Sequence, residues 1–183
     1  SCYARLVADV RLAYERYEFQ SIFHAINEFM TVDLSAVYLD VSKDRLYTFG
    51  ADSREGRPAQ TAVYVMADGL TRLIAPVLSI TADEVWSRLP GTREESVHLA
   101  HFPADADAWR NEALEADWRQ LLDVRERVNA VLEGARQRKE IGNALSAHVS
   151  ITAPDPLASL LERHRDELAM WLITSGIAVH KGG

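Results

Sequence analysis

The chain has 183 residues, enough to bury one sizeable core with a small addition. Its 48% hydrophobic and 26% charged residues are ordinary for a globular protein, and no apolar run approaches the roughly 20 residues that a bilayer span needs. A net charge of −7 argues against indiscriminate nucleic-acid binding, which draws on clustered Lys and Arg, and a single cysteine excludes an intramolecular disulfide.

From Tyr3 to Tyr17 the apolar residues Tyr3, Leu6, Val7, Val10, Tyr14 and Tyr17 recur at helical spacing, with Arg5, Asp9 and Arg16 opposite. Phe19, Ile22, Phe23, Ile26, Phe29 and Met30 keep the same period, so the short joint at Glu18 predicts two antiparallel helices. A third helix is expected from about Asp33 to Leu46, bent from the second or broken near Thr31 and Val32. It ends in Lys43-Asp44-Arg45, where cations suit the negative pole of the helix dipole.

Gly50 to Gly56 reads as a polar loop carrying Arg54, and Pro58 fits the first turn of a helix starting near Ala59. Val63, Met66, Ala67, Leu70, Leu73, Ile74 and Val77 form its apolar stripe, which Pro76 should end or kink. Thr81-Ala82-Asp83-Glu84 predicts a capping box opening a short helix through Leu89, which Pro90-Gly91 stops. Residues 91–110 read as loop, with a short extended piece at Val97-His98-Leu99.

A long helix follows from about Glu112 to Lys139, its inner edge marked by Leu114, Trp118, Leu121, Val128, Leu132 and Ala135. Arg125 falls inside that seam. Either a carboxylate pairs it or it emerges at the edge toward an anionic partner, because an unpaired buried charge costs several kcal/mol. After Gly142, Val149, Ile151 and Ala153 alternate as a strand, Asp155-Pro156 opens a helix bearing Leu157, Leu160, Leu161, Leu168, Trp171 and Leu172, Gly176 ends it, and Ile177 to His180 makes a second strand. The expected fold is mainly α: a helical bundle over 1–142 and a small β-α-β appendage over 143–183.

The sequence holds no glycine-rich phosphate loop, no G-x-S-x-G elbow and no paired Cys-x-x-Cys ligands, and so no catalytic residue. His98 and His101 stand three apart, but Pro103 and the surrounding composition favour loop, and nothing completes a metal site. Cys2 reads as inert. Trp86, Trp118 and Trp171 sit on apolar stripes and read as core, whereas Trp109 has the least helical context and is the one tryptophan placed to stack on an unpaired base.

Tyr38-Leu39-Asp40-Val41-Ser42-Lys43-Asp44-Arg45-Leu46-Tyr47, with Ala51-Asp52-Ser53-Arg54 and Arg57-Pro58-Ala59-Gln60-Thr61-Ala62-Val63-Tyr64 after it, resembles the helical anticodon-binding region of bacterial isoleucyl-tRNA synthetases. Leu78 to Trp86, Glu94 to Leu99 and Ile141-Gly142-Asn143-Ala144-Leu145 extend the likeness over nearly the whole chain. The valyl and leucyl cousins match the Tyr38 to Tyr64 block less well. The resemblance implies a non-catalytic fragment of an isoleucine–tRNA ligase, a monomer in the cytoplasm, that binds the anticodon stem-loop of its tRNA beside upstream catalytic and editing domains.

The two ATP-holding signatures of class I synthetases are absent from these residues, so ATP and Mg belong to the full-length enzyme and no cofactor to this fragment. Family members often carry a zinc module beyond this point. Lys43, Arg45, Arg54 and Arg57 are the expected phosphate or base contacts, with Gln60 as a base-edge partner, followed by Arg136, Lys139 and Asn143. Structural roles compete with each: Arg45 could pair with Asp44 or Asp40, and Gly142 could serve as a helix cap. Periodicity alone also allows a helical protein-interaction module.

Overall fold

The computed structural model describes residues 1–48, 53–54, 56–104 and 106–182, with the backbone alone at Asp44 and Asp107. Most of the loop read at Gly50 to Gly56, and the side chain of Asp44, therefore lie outside the described residues. The chain is mainly α, with one two-stranded parallel sheet among the described residues. Among the described residues no helix is long and apolar enough to cross a membrane.

Two compact units are present, Ser1–Arg110 and Asn111–Gly183. The first opens with α1 (Cys2–Glu15), which buries Tyr3, Leu6, Val7 and Val10. At its end Tyr17 takes a left-handed φ of 58°, while the Tyr17 and Glu18 amides donate to the carbonyls of Tyr14 and Ala13. That pair of bonds satisfies the last carbonyls of the helix and reverses the chain. Tyr17 therefore stands outside the stripe that its spacing predicts and is exposed.

The second helix does not break near Thr31. α2 (Phe19–Glu28) passes into an eleven-residue π-helical segment (Phe29–Leu39) and then α3 (Asp40–Tyr47). The Thr31 hydroxyl bonds to the Asn27 carbonyl at 2.8 Å and that of Ser35 to the Met30 carbonyl at 2.6 Å, so polar side chains attach to the widened coil. Only Ile22, Ile26 and Phe29 enter the core shared with α1; Phe19, Phe23 and Met30 are exposed.

α4 (Gly56–Ile74) ends just before Ala75-Pro76, as the proline predicts. It buries Leu70 and Leu73 against α1, and the Tyr14 hydroxyl donates to the Leu73 carbonyl at 2.8 Å. Gly69 is required there, since a Cβ would collide with the Tyr3 hydroxyl. Burial pushes the Tyr3 phenol up to about 12; the Asp68 charge adds to this and Arg72 opposes it.

α5 (Ser79–Arg88) starts two residues before Thr81, behind Leu78 with no side-chain cap, so the predicted capping box does not form. Asp83 instead accepts from the Ser96 hydroxyl at 2.6 Å and the Val97 amide at 3.1 Å. Those bonds fold Val97–Leu99 into one 3-10 turn, where an extended piece was expected. Trp86, 1% exposed, donates to the Glu94 carbonyl and carries the guanidinium of Arg93 at 4.5 Å and of Arg72 at 5.2 Å from its ring. Asp68 bridges both arginines, Arg72 at 2.9 Å and Arg93 at 3.3 Å.

The second unit is built on α6 (Glu112–Gln137), capped by Asn111, whose side chain accepts from the Leu114 amide. The sequence divides the chain after Gly142, whereas α6 packs with the segment that follows it. Arg125, 7% exposed, donates to the Trp171 carbonyl and lies 5.9 Å from that ring, so it faces inward and does not emerge at the edge. Trp118 meets Trp171 edge-on at 5.8 Å and stays 39% exposed.

β1 (His148–Ala153) pairs in parallel with β2 (Gly176–Lys181), from His148 opposite Gly176 to Ala153 opposite Lys181. The single helix expected between them is two, α7 (Leu157–Arg163) and α8 (Arg165–Leu172), parted at His164. α8 is closed by Ile173 at φ 54°, not by Gly176. Gly176 opens β2, where a Cβ would sit 2.6 Å from the His148 ring.

Replacing Asp68 with alanine leaves two partly buried guanidinium groups short of their shared carboxylate, and should cost about 2 kcal/mol in urea unfolding. Tyr3 supplies a pH test. Its phenol is raised from 10.0 to about 12, so the stability linked to this group is complete below pH 10 and lost as pH rises through 12. Tyr3→Phe should flatten the stability profile of the chain over that window.

Candidate nucleic-acid interface

In the first unit, α3 packs against α4, and the Tyr38 hydroxyl donates to the Ala59 carbonyl at 3.4 Å. Burial pushes the Tyr38 phenol up, while a hydrogen bond with Ser42 and the nearby charge of Arg45 pull it down. Arg45 is half-buried beside Tyr38. Lys43 is exposed, with its ammonium 3.3 Å from Asp40 one turn back, a contact worth little in water and easily exchanged for another anion.

Ser53 opens α4: its hydroxyl accepts from the Gly56 amide at 2.9 Å and its carbonyl from the Arg57 amide at 3.2 Å. Pro58 follows inside the first turn, where a missing amide hydrogen costs nothing. Arg54 on the turn, and Arg57 and Gln60 in the first turns, are all exposed. They stand at the positive pole of a 19-residue helix, and its dipole adds to their attraction for an anion. α3, with Lys43 and Arg45, thus packs against α4, whose opening turns carry Arg54, Arg57 and Gln60. Trp109 belongs to the same unit, is 52% exposed and lies near Arg57. Its sequence signal was being the one tryptophan off an apolar stripe.

In the second unit, Arg136, Lys139 and Asn143 lie at and beyond the end of α6, all exposed. Arg136 pairs with Glu133 at 3.0 Å, and Arg138 with Glu140 at 2.7 Å. Hydrogen bonding to Arg138 holds the Glu140 carboxyl below its usual range. Lys139 has a left-handed φ of 60°; its amide donates to the Arg136 carbonyl and that of Glu140 to the Ala135 carbonyl. This places Lys139, and not Gly142, at the position that closes the helix. Gly142 lies farther on, with open space where a Cβ would be. The Asn143 side-chain oxygen accepts from the Ser146 amide at 3.0 Å, which fixes the amide plane and points its NH2 group away from that bond.

His98 and His101 are exposed. Among the described residues no three His, Cys, Asp or Glu side chains are grouped to hold a metal ion.

A family model described as the anticodon-binding domain of tRNA ligase matches residues 1–151. The chain is 49% identical over 173 residues to the isoleucine–tRNA ligase of Syntrophotalea carbinolica, covering 94% of this chain and 19% of that protein. It is 42% identical over 181 residues to the enzyme of the same name from Moorella thermoacetica, covering 98% and 20%. Against that of Geobacter sulfurreducens the identity is 43% over 174 residues, covering 95% and 19%. The chain thus spans about a fifth of the length of these curated relatives.

A lysine in the left-handed region carries a steric cost that glycine does not. Lys139→Gly should therefore raise stability by about 0.5–1 kcal/mol, read as a shift of the urea midpoint, with the helix content seen by circular dichroism unchanged.

Proposed function

The chain belongs to the anticodon-binding domains of tRNA ligases, and on that premise we propose that it is the part of an isoleucine–tRNA ligase that grips the anticodon stem and loop of isoleucine tRNA. The observation that carries the reading is the corner where α3 meets the first turns of α4. There Lys43, Arg54 and Arg57 offer exposed cations, Gln60 offers both a donor and an acceptor, and the α4 dipole points its positive end outward. Phosphate contacts from the cations set position, and the amide of Gln60 reads a base edge. Arg45, half-buried near Tyr38, adds its charge to the same region.

Arg136, Lys139 and Asn143 form a second contact region. Lys139 sets a basic side chain just past a helix C-terminus, at a left-handed φ that costs any residue but glycine. The Asn143 NH2 group remains available for a base or ribose oxygen.

Joining isoleucine to tRNA, with ATP and Mg, falls to catalytic and editing domains outside these 183 residues, in a monomeric cytoplasmic enzyme. Any structural zinc belongs to a module outside them as well. The role of this chain is to hold one end of the tRNA so that the other reaches the chemistry. Binding energy spent far from the reacting atoms is a recognised route to specificity.

Filter binding of the chain to isoleucine tRNA, against the same tRNA with an altered anticodon, tests the reading over a range of salt. The Arg54→Ala, Arg57→Ala double variant should bind more weakly and lower the log–log salt slope by about one for each phosphate no longer neutralised. Unchanged affinity at low salt removes both arginines from the interface. Equal binding of both tRNAs without salt dependence points instead to a helical protein-interaction module.

A further inference from the structure

An open cleft of about 610 Å³ lies in the first unit between the start of α4 and the Trp109 turn. Its least exposed lining, the buried Tyr3 ring with the half-buried Val65 and Ala62, is apolar and serves as its floor, while Arg57, Pro58, Thr61 and Trp109 line it from exposed positions. The Tyr3 and Trp109 rings are 6.1 Å apart and inclined by 30°, and the hydroxyl of Ser1 donates to the Trp109 carbonyl at 3.1 Å. Tyr3 cannot swing away, because its hydroxyl end is lodged where Gly69 lacks a Cβ. Half of the Trp109 surface nevertheless remains open.

A fixed, flat, apolar floor beside an exposed indole suits a planar aromatic ligand. A single guanidinium at the rim suits an anion joined to that ligand. Both demands are met by one unstacked nucleotide: base stacking is tolerant of sequence because every base has a π face, and the adjoining phosphate reaches the cation. A peptide segment could use the apolar floor but would make no use of Arg57 and the α4 dipole. We propose that this cleft seats one unpaired base of the bound RNA against Trp109, with Arg57 meeting its phosphate. The proposal rests on the reading of the chain as an anticodon binder and names a contact site within it.

The test uses the 183-residue chain and an RNA hairpin carrying the isoleucine anticodon stem and loop, with abasic nucleotides introduced one at a time in the loop. Trp109→Ala should weaken binding by about tenfold and leave the salt slope unchanged, whereas Trp109→Phe keeps most of the affinity. One abasic position should cost the wild-type chain a similar factor and cost Trp109→Ala nothing further, because both remove the same stacking partner. Should Trp109→Ala fail to fold, hairpin-induced fluorescence quenching decides: the proposal requires quenching in the wild type that Trp109→Phe largely loses. If Trp109 variants bind as the wild type does while the Arg54, Arg57 double variant is weakened, the stacking site is overturned and the anticodon reading stands. A hairpin that does not bind the wild-type chain at all overturns both.

Discussion

The first unit depends on one close approach, that of α1 to α4 at Gly69. With no side chain there, the Tyr3 hydroxyl lies against the backbone of α4, and Leu70 next to it and Leu73 a turn on meet Val7, Val10 and Ala13 in the same core. The Tyr14 bond to the Leu73 carbonyl fixes the far end of this seam. Because α4 is anchored along its C-terminal half, and again at Ala59 by Tyr38, its first turns are held in position while Arg57 and Gln60 on them stay exposed. Exposed arginines on those turns gain a defined location from a core that they do not join.

Electrostatics in the two units follows one pattern, which explains how a chain of net charge −7 can attract an anion. Where a cation serves the fold it is partly or fully buried and bonded to acceptors inside: Arg125 to the Trp171 carbonyl, Arg72 and Arg93 to Asp68 against the Trp86 ring. Where cations cluster at helix ends they are exposed, Arg45 excepted, and carboxylates three residues or fewer away pair with several of them, as in Lys43 with Asp40 and Arg136 with Glu133. Such pairs are held weakly enough to reopen for phosphate. Total charge is therefore a poor guide to this surface, and placement is the better one.

Helices, their order and the terminal β-α-β pattern were legible in the apolar periods, since α1, α2 and α4 bury stripes and β1 alternates along its length. Helix ends were less so, for a common physical reason. Sequence reading looks for glycine where a helix closes, which directed attention to Gly142 and Gly176. The chain uses Lys139 and Ile173 three residues earlier, and Tyr17 likewise, all left-handed without being glycine. Hydrogen bonding at the following amides compensates for the strain, and nothing local in the residue type announces it. The inward fate of Arg125 and the nearness of Trp109 to Arg57 were illegible because each depends on partners 46 and 52 positions away. The cationic candidates themselves were legible from resemblance and composition, since exposed charge needs no distant partner to be noticed.

The π-helical stretch from Phe29 to Leu39 makes a single unbroken rod of Phe19 to Tyr47 while changing its winding midway. An ordinary helix advances about 100° per residue and the wider coil advances less, so the azimuth at which Lys43 emerges is dialled by how many residues run through the wide coil. Ile22 and Ile26 lock one end of the rod to the core, and the other end must swivel with any gain or loss in between. Chain length between Phe29 and Leu39 is thus a geometric gauge for the charged tip.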